Sequence, residues 1–110
     1  PNLGMPAFKH GLSADISVFG AYCMLSNLCD IPCGAVPITL VGEHETEYDE
    51  RIRANRDMIT SKAKENLIES QGMPVGVQVI TPFMEEEKCI SIMKQIEEKI
   101  NFQKKHGYPV

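Results

Sequence analysis

Ala35-Val36-Pro37-Ile38-Thr39-Leu40-Val41 and Val75-Gly76-Val77-Gln78-Val79-Ile80 are the two stretches on which the fold reading turns. Both are rich in β-branched residues and have the length of ordinary strands. Pro37 removes one ladder donor, which predicts a strand that lies at an edge or is unpaired at that residue. Gly76 leaves out a side chain, as a close approach of another backbone requires. Everything around these runs reads as helix or turn.

Upstream of the first strand, residues 1–12 carry Pro1, Gly4, Pro6 and Gly11 and read as an irregular lead-in. Ser13 is placed to cap a helix that runs to Leu28. From Ile16 onward Val18, Phe19, Ala21, Tyr22, Met24, Leu25 and Leu28 leave that helix almost no polar face. A helix that is apolar all round belongs inside a large protein. Cys29 to Gly34 is a turn, because Pro32 disfavours helix in the residue before it. Between the strands an acidic loop at 42–47 precedes a helix at 49–68, whose Ile52, Ile59, Ala63 and Leu67 form one buried stripe. Gly72 and Pro74 end it. After Pro82 a last helix, over about 84–102, opens on Glu85, Glu86 and Glu87 and carries the stripe Cys89, Met93, Ile96, Ile100. The tail at 103–110 reads as polar and frayed. The order helix-strand-helix-strand-helix puts the chain in the α/β class.

The chain has 110 residues, 43% of them hydrophobic and 24% charged, which marks a globular sequence of one domain's length. Eleven basic against fifteen acidic residues give a net charge of −4. No basic stripe exists to release counterions from a phosphate backbone, so nucleic acid is disfavoured as a partner. No apolar run approaches the ~20 residues that cross a bilayer, and no secretory signal is visible. The opening Pro1-Asn2-Leu3-Gly4 reads as a cut through a longer protein. Cys23, Cys29, Cys33 and Cys89 are too few for a disulfide scaffold and read as reduced, buried thiols in a cytosolic setting.

Chemistry-bearing residues are scattered rather than assembled. Ser13, Ser17, Ser26, Ser61, Ser70 and Ser91 include none in a Gly-x-Ser-x-Gly elbow. Capping and packing explain them as well as nucleophilicity does. Cys23, Cys29 and Cys33 match no common zinc spacing, and His10, His44 and His106 fall in expected loops without partners. Cys33, just before Gly34, is the one thiol in a setting that reactivity could use. Glu85, Glu86, Glu87 and Lys88 fit helix solvation, and Lys62 and Lys64 lie on the solvated side of the middle helix. No phosphate loop or dinucleotide fingerprint is present. By residues alone there is no catalytic constellation, and no metal or cofactor is expected.

Two segments taken together resemble the fatty acid amide hydrolases of the amidase signature superfamily. Residues 21–39 resemble that family's Tyr-x-Met-Leu-x-Asn-x-x-Asp-x-Pro-x-Gly-x-Val-Pro-Val-Thr, and Gly72 to Gln78 resemble its Gly-Leu-Pro-Val-Gly-Val-Gln. The resemblance implies that residues 1–110 form the C-terminal part of an amidase domain, with both strands in one large mixed sheet. It implies hydrolysis of amide C–N bonds by a Ser, cis-Ser, Lys triad, none of which has a counterpart in this chain. It implies further that the helix at 13–28 walls an acyl channel, with Ser17, Gly20 and Met24 facing the substrate. Asn27 and Asp30 match motif positions as turn and cap residues, whereas Cys23 and Ser26 depart from the family's Thr and Tyr. Its implied partners are an amide substrate and the remainder of the domain. A homo-oligomer is compatible with it, and a membrane association is left open. The implied location is the cytoplasm or the cytosolic face of a membrane. A small stand-alone α/β interaction or ligand-binding module is the alternative from a different class, and a thiol or metal enzyme is a third.

Overall fold

The computed structural model describes residues 4–15, 17–47 and 58–107. A 3-10 turn at Leu12–Ala14 and another at Ser17–Gly20 precede helix α1, Ala21–Cys29. Strand β1 is Cys33–Leu40, helix α2 is Met58–Leu67 and strand β2 is Pro74–Ile80. Helices α3, Glu86–Ile100, and α4, Phe102–His106, close the order. Both expected strands form, as one antiparallel pair with Gly34 opposite Val79 and Val36 opposite Val77. The helix expected at 49–68 is seen from Met58, and its Ile52 lies outside the described residues.

Pro37 and Gly76 behave as their chemistry dictates. They face each other in the register, and a bulge follows at once between Pro37 and Thr39. A Cβ on Gly76 would sit 2.9 Å from the Val36 carbonyl oxygen, so only glycine permits this approach of the two backbones. Gly34 is equally tight for a different reason, since a Cβ there would run into the Met93 thioether.

Helix α3 covers one face of the pair. Val36, Val79 and Cys89 are the buried centre, with Ile38, Ile92, Met93 and Ile96 packed around them. Cys89, Met93 and Ile96 of the expected stripe of α3 are there, joined by Ile92, whereas Ile100 is not part of this cluster. Glu86 and Glu87 in its first turn and Lys99 in its last complement the helix dipole. Thr81, 4% exposed, fastens the corner: its N–H donates to the Pro32 carbonyl and its Oγ1 to the Glu85 carbonyl.

Four expectations need correction. Ser13 lies inside the 3-10 turn Leu12–Ala14 and caps no α-helix; α1 starts only at Ala21, after Gly20, with no side-chain cap bond. The tail is not frayed from residue 103, because Asn101 takes a left-handed conformation and α4 continues to His106. Phe102, 5% exposed, supplies the buried anchor that a reading of the polar residues after it overlooks. His106 accordingly lies in this helix and not in a loop, with its ring 4.7 Å from that of Phe102. Of the four cysteines only Cys89 is buried; Cys23 is half-buried, and Cys29 and Cys33 are exposed.

Candidate functional site

The lead-in is bonded both to β2 and to α2. Ala7 donates its N–H to the Pro74 carbonyl at 3.3 Å, and Lys9 donates its N–H to Asn66 Oδ1 at 3.1 Å. Asn66 is fully buried, and that single bond ties the lead-in to α2 across fifty-seven residues of sequence. Its orientation is dictated: with Oδ1 held by a donor, Nδ2 must point the other way, where it finds no partner among the described residues. Ser70 is 1% exposed and its hydroxyl has no partner among the described residues, although its N–H and carbonyl are both bonded. The edge-to-face contact of Phe8 with Phe19, ring centres 6.0 Å apart, adds an apolar clasp.

Three cavities follow this seam. One of about 310 Å³ is lined by Phe19, Ile59, Ala63 and Leu67, with Gly4 to Pro6 at its rim. Another of about 230 Å³ lies between Met5, Ala7 and the strand residues Ala35, Pro37, Pro74 and Gly76. A third, about 280 Å³, is bounded by Asp15, Met58, Ile59 and Lys62. Ser17, Gly20 and Met24 line none of the three. Ser17 is exposed, Met24 is 57% exposed, and a Cβ on Gly20 would meet nothing within 4 Å. Their spacing of three and four keeps them on one side of the chain. The side they share opens outward.

No catalytic pairing emerges at the serines with identified contacts. Ser26 Oγ donates to the Cys23 carbonyl, and Ser91 Oγ accepts from Gln95 Nε2. Lys62 is a poor base: a hydrogen bond to Glu65, that carboxylate's charge and the nearby Asp15 hold its ammonium above the usual lysine range. Among the described residues no three His, Cys, Asp or Glu side chains gather to hold a metal, and no helix is long and apolar enough to cross a membrane.

The most unusual feature is therefore a surface. Tyr22, Met24, Leu25 and Leu28 of α1 are 53 to 85% exposed, and Ile80, Phe83 and Met84 are exposed near the end of β2. Tyr22, Met24, Leu25 and Leu28, four of the apolar residues that suggested a helix inside a large protein, lie open in this chain. Asn66 and Thr81, which organise the interior, were not legible as such, because one buried Asn or Thr carries no periodic signal.

No family model matches the sequence. Among curated proteins the chain is 32% identical over 93 residues to fatty acid amide hydrolase 1 of Caenorhabditis elegans, a span covering 84% of this chain and 16% of that protein. It is 31% identical over 78 residues to fatty-acid amide hydrolase 1 of Sus scrofa, covering 70% of this chain and 14% of that protein. The matched span is thus between one seventh and one sixth of these relatives' length.

Proposed function

From the premise that this chain is related to the fatty acid amide hydrolases, we propose that it is a structural segment of an enzyme that hydrolyses the C–N bond of fatty acid amides. The groups that perform the chemistry lie outside these residues. The chain contributes two strands to a larger mixed sheet and one wall of the channel that takes the acyl chain. Its direct partners are the rest of the hydrolase domain and, through it, the amide substrate. Its four cysteines, none of them in a disulfide, suit the cytoplasm or the cytosolic side of a membrane.

One observation carries this reading: α1 holds its apolar side chains in the open, as a helix does when the body it packs on is elsewhere. Ser17, Gly20 and Met24 are the channel wall. The open space at Gly20 is room for a hydrocarbon chain, and Gly20→Phe in the full-length protein fills it. KM for long-chain amides should then rise far more than KM for short ones, since about 0.8 kcal/mol is lost with each methylene left unburied. Steady-state kinetics on a series of acyl lengths decides. An equal effect on all lengths would leave α1 structural only, and a full-length protein that hydrolyses no amide would remove the whole reading.

A further inference from the structure

Residues 4–10 lie across the seam between α2 and β2, fastened there by contacts that are individually weak. Ala7 donates its N–H to the Pro74 carbonyl at 3.3 Å, and Lys9 donates its N–H to Asn66 Oδ1. The Lys9 ammonium pairs with Glu69 at 3.7 Å, between side chains that are 36 and 84% exposed. An ion pair so open to water adds little and is screened by salt. Beneath the segment Pro6 is buried, and Gly4, Met5 and Pro6 close one side of the 310 Å³ cavity. Its other walls include Phe19, Ile59, Ala63 and Leu67.

Gly11 follows the segment at φ 88°, in the left-handed region, and a Cβ there would meet nothing within 4 Å. The backbone can therefore turn at this point without a clash. Beyond Gly11 the chain is anchored again, by the 3-10 turn Leu12–Ala14 and by Asp15, whose carboxylate lies 3.8 Å from the Lys62 ammonium. Under the segment Asn66 is fully buried, and its Nδ2 has no partner among the described residues. A buried donor of this kind raises the free energy of the closed arrangement, and lifting residues 4–10 gives it water. Weak contacts hold the seam closed, and a desolvated amide opposes them.

We infer that residues 4–10 are a hinged cover, latched on Asn66 and turning at Gly11, whose lifting opens the cavity under Met5 and Pro6 to an apolar guest. The cover lifts as one piece, because Ala7 and Lys9 are two residues apart and share the clasp of Phe8 on Phe19. The opening is local: the sheet and α3 keep their own centre at Val36, Val79 and Cys89. This device goes beyond the amide-hydrolase reading and does not depend on it.

Hydrogen exchange on the full-length protein, read at single amides, tests it. Ala7 and Lys9 should exchange through one opening, with protection equal within about twofold and at least about tenfold below that of Met93 in the middle of α3. Ala7 is the informative amide, since changes at the latch leave its own acceptor on Pro74 untouched. Glu69→Gln alters only an exposed carboxylate and should speed exchange at Ala7 by about two- to fivefold relative to Met93. Added salt should do the same in the unmutated protein and nothing further in the variant. Asn66→Ala should speed it by about fivefold or more. If Asn66→Ala does not fold, Glu69→Gln and salt still decide. Entry to the cavity is read at its wall, where Ala63 is 6% exposed. Alkylation by iodoacetamide of the thiol introduced by Ala63→Cys, followed by mass spectrometry, should accelerate by the same factor as Ala7 exchange when Glu69→Gln is added. Exchange at Ala7 as slow as at Met93 and indifferent to these variants, or alkylation at position 63 at a rate independent of Glu69→Gln, overturns the inference.

Discussion

Gly34 and Gly76 sit in the same sheet, yet they should respond differently to a methyl group. At Gly76 the obstacle is the Val36 carbonyl, a backbone atom locked in the ladder; at Gly34 it is the thioether of Met93, the far end of a flexible side chain. Gly76→Ala should therefore cost about 1–3 kcal/mol, in the range of an overpacked core, and Gly34→Ala distinctly less. Denaturant midpoints of the two variants, in the full-length protein, check the order. Gly34→Ala as the more damaging change would show that Met93 is not free to swing. Of these two, Gly76 was legible beforehand, because a glycine inside a β-branched run has few other uses. Gly34 was not: it looked like part of a turn, and Met93, fifty-nine residues away, gave it no local signature. The thiols failed for a related reason. Cysteine is buried on average, but Cys29 and Cys33 flank a turn whose outer side faces solvent, and only Cys89 belongs to a stripe that meets the sheet.

The two strands and the amphipathic α3 were readable because their patterns repeat at the period of the element they form. Element ends depended on single residues. Gly20, at the junction of a 3-10 turn and α1, divides what the apolar run suggested was one helix. Asn101, left-handed at φ 52°, stops α3 and lets Phe102 turn back toward the core. Phe102→Ala should release α4 and cost about 3–5 kcal/mol, the usual loss for a buried phenylalanine. Exchange of amides 103–106 should then approach that of an open chain. If those amides stay protected, α4 is held by its own hydrogen bonds and not by its anchor. The residues proposed as a channel wall, Ser17, Gly20 and Met24, come from the resemblance alone. Nothing in the composition of α1 separates a wall from a packed helix, since both are apolar.

As a whole the molecule leaves one side apolar and open. Its radius of gyration is 15.4 Å, against about 13 Å expected for a self-standing domain of this length. The outer side of α3 carries Glu86, Glu87, Lys94, Glu97 and Glu98 in solvent, whereas α1 exposes Tyr22, Met24, Leu25 and Leu28. Each such side chain loses ~1.5–3 kcal/mol by staying in water, and a folded domain has only about 5–15 kcal/mol in total. The 110 residues alone should thus be molten, insoluble or oligomeric through α1. Sedimentation equilibrium and thermal unfolding measure this, and a monomer with a sharp cooperative transition would favour the stand-alone module instead. The pairing of β1 with β2 has a temporal side as well. These neighbours are joined not by a tight turn but by residues 41–73, and closing a connection that long costs roughly 2 kcal/mol more than closing a four-residue hairpin loop. Helices α2 and α3 can start to form within their own residues, while the sheet must wait for two distant segments to meet. During that interval both strand segments are open to any extended chain nearby, so crowding at synthesis, more than heat afterwards, is the hazard this topology creates.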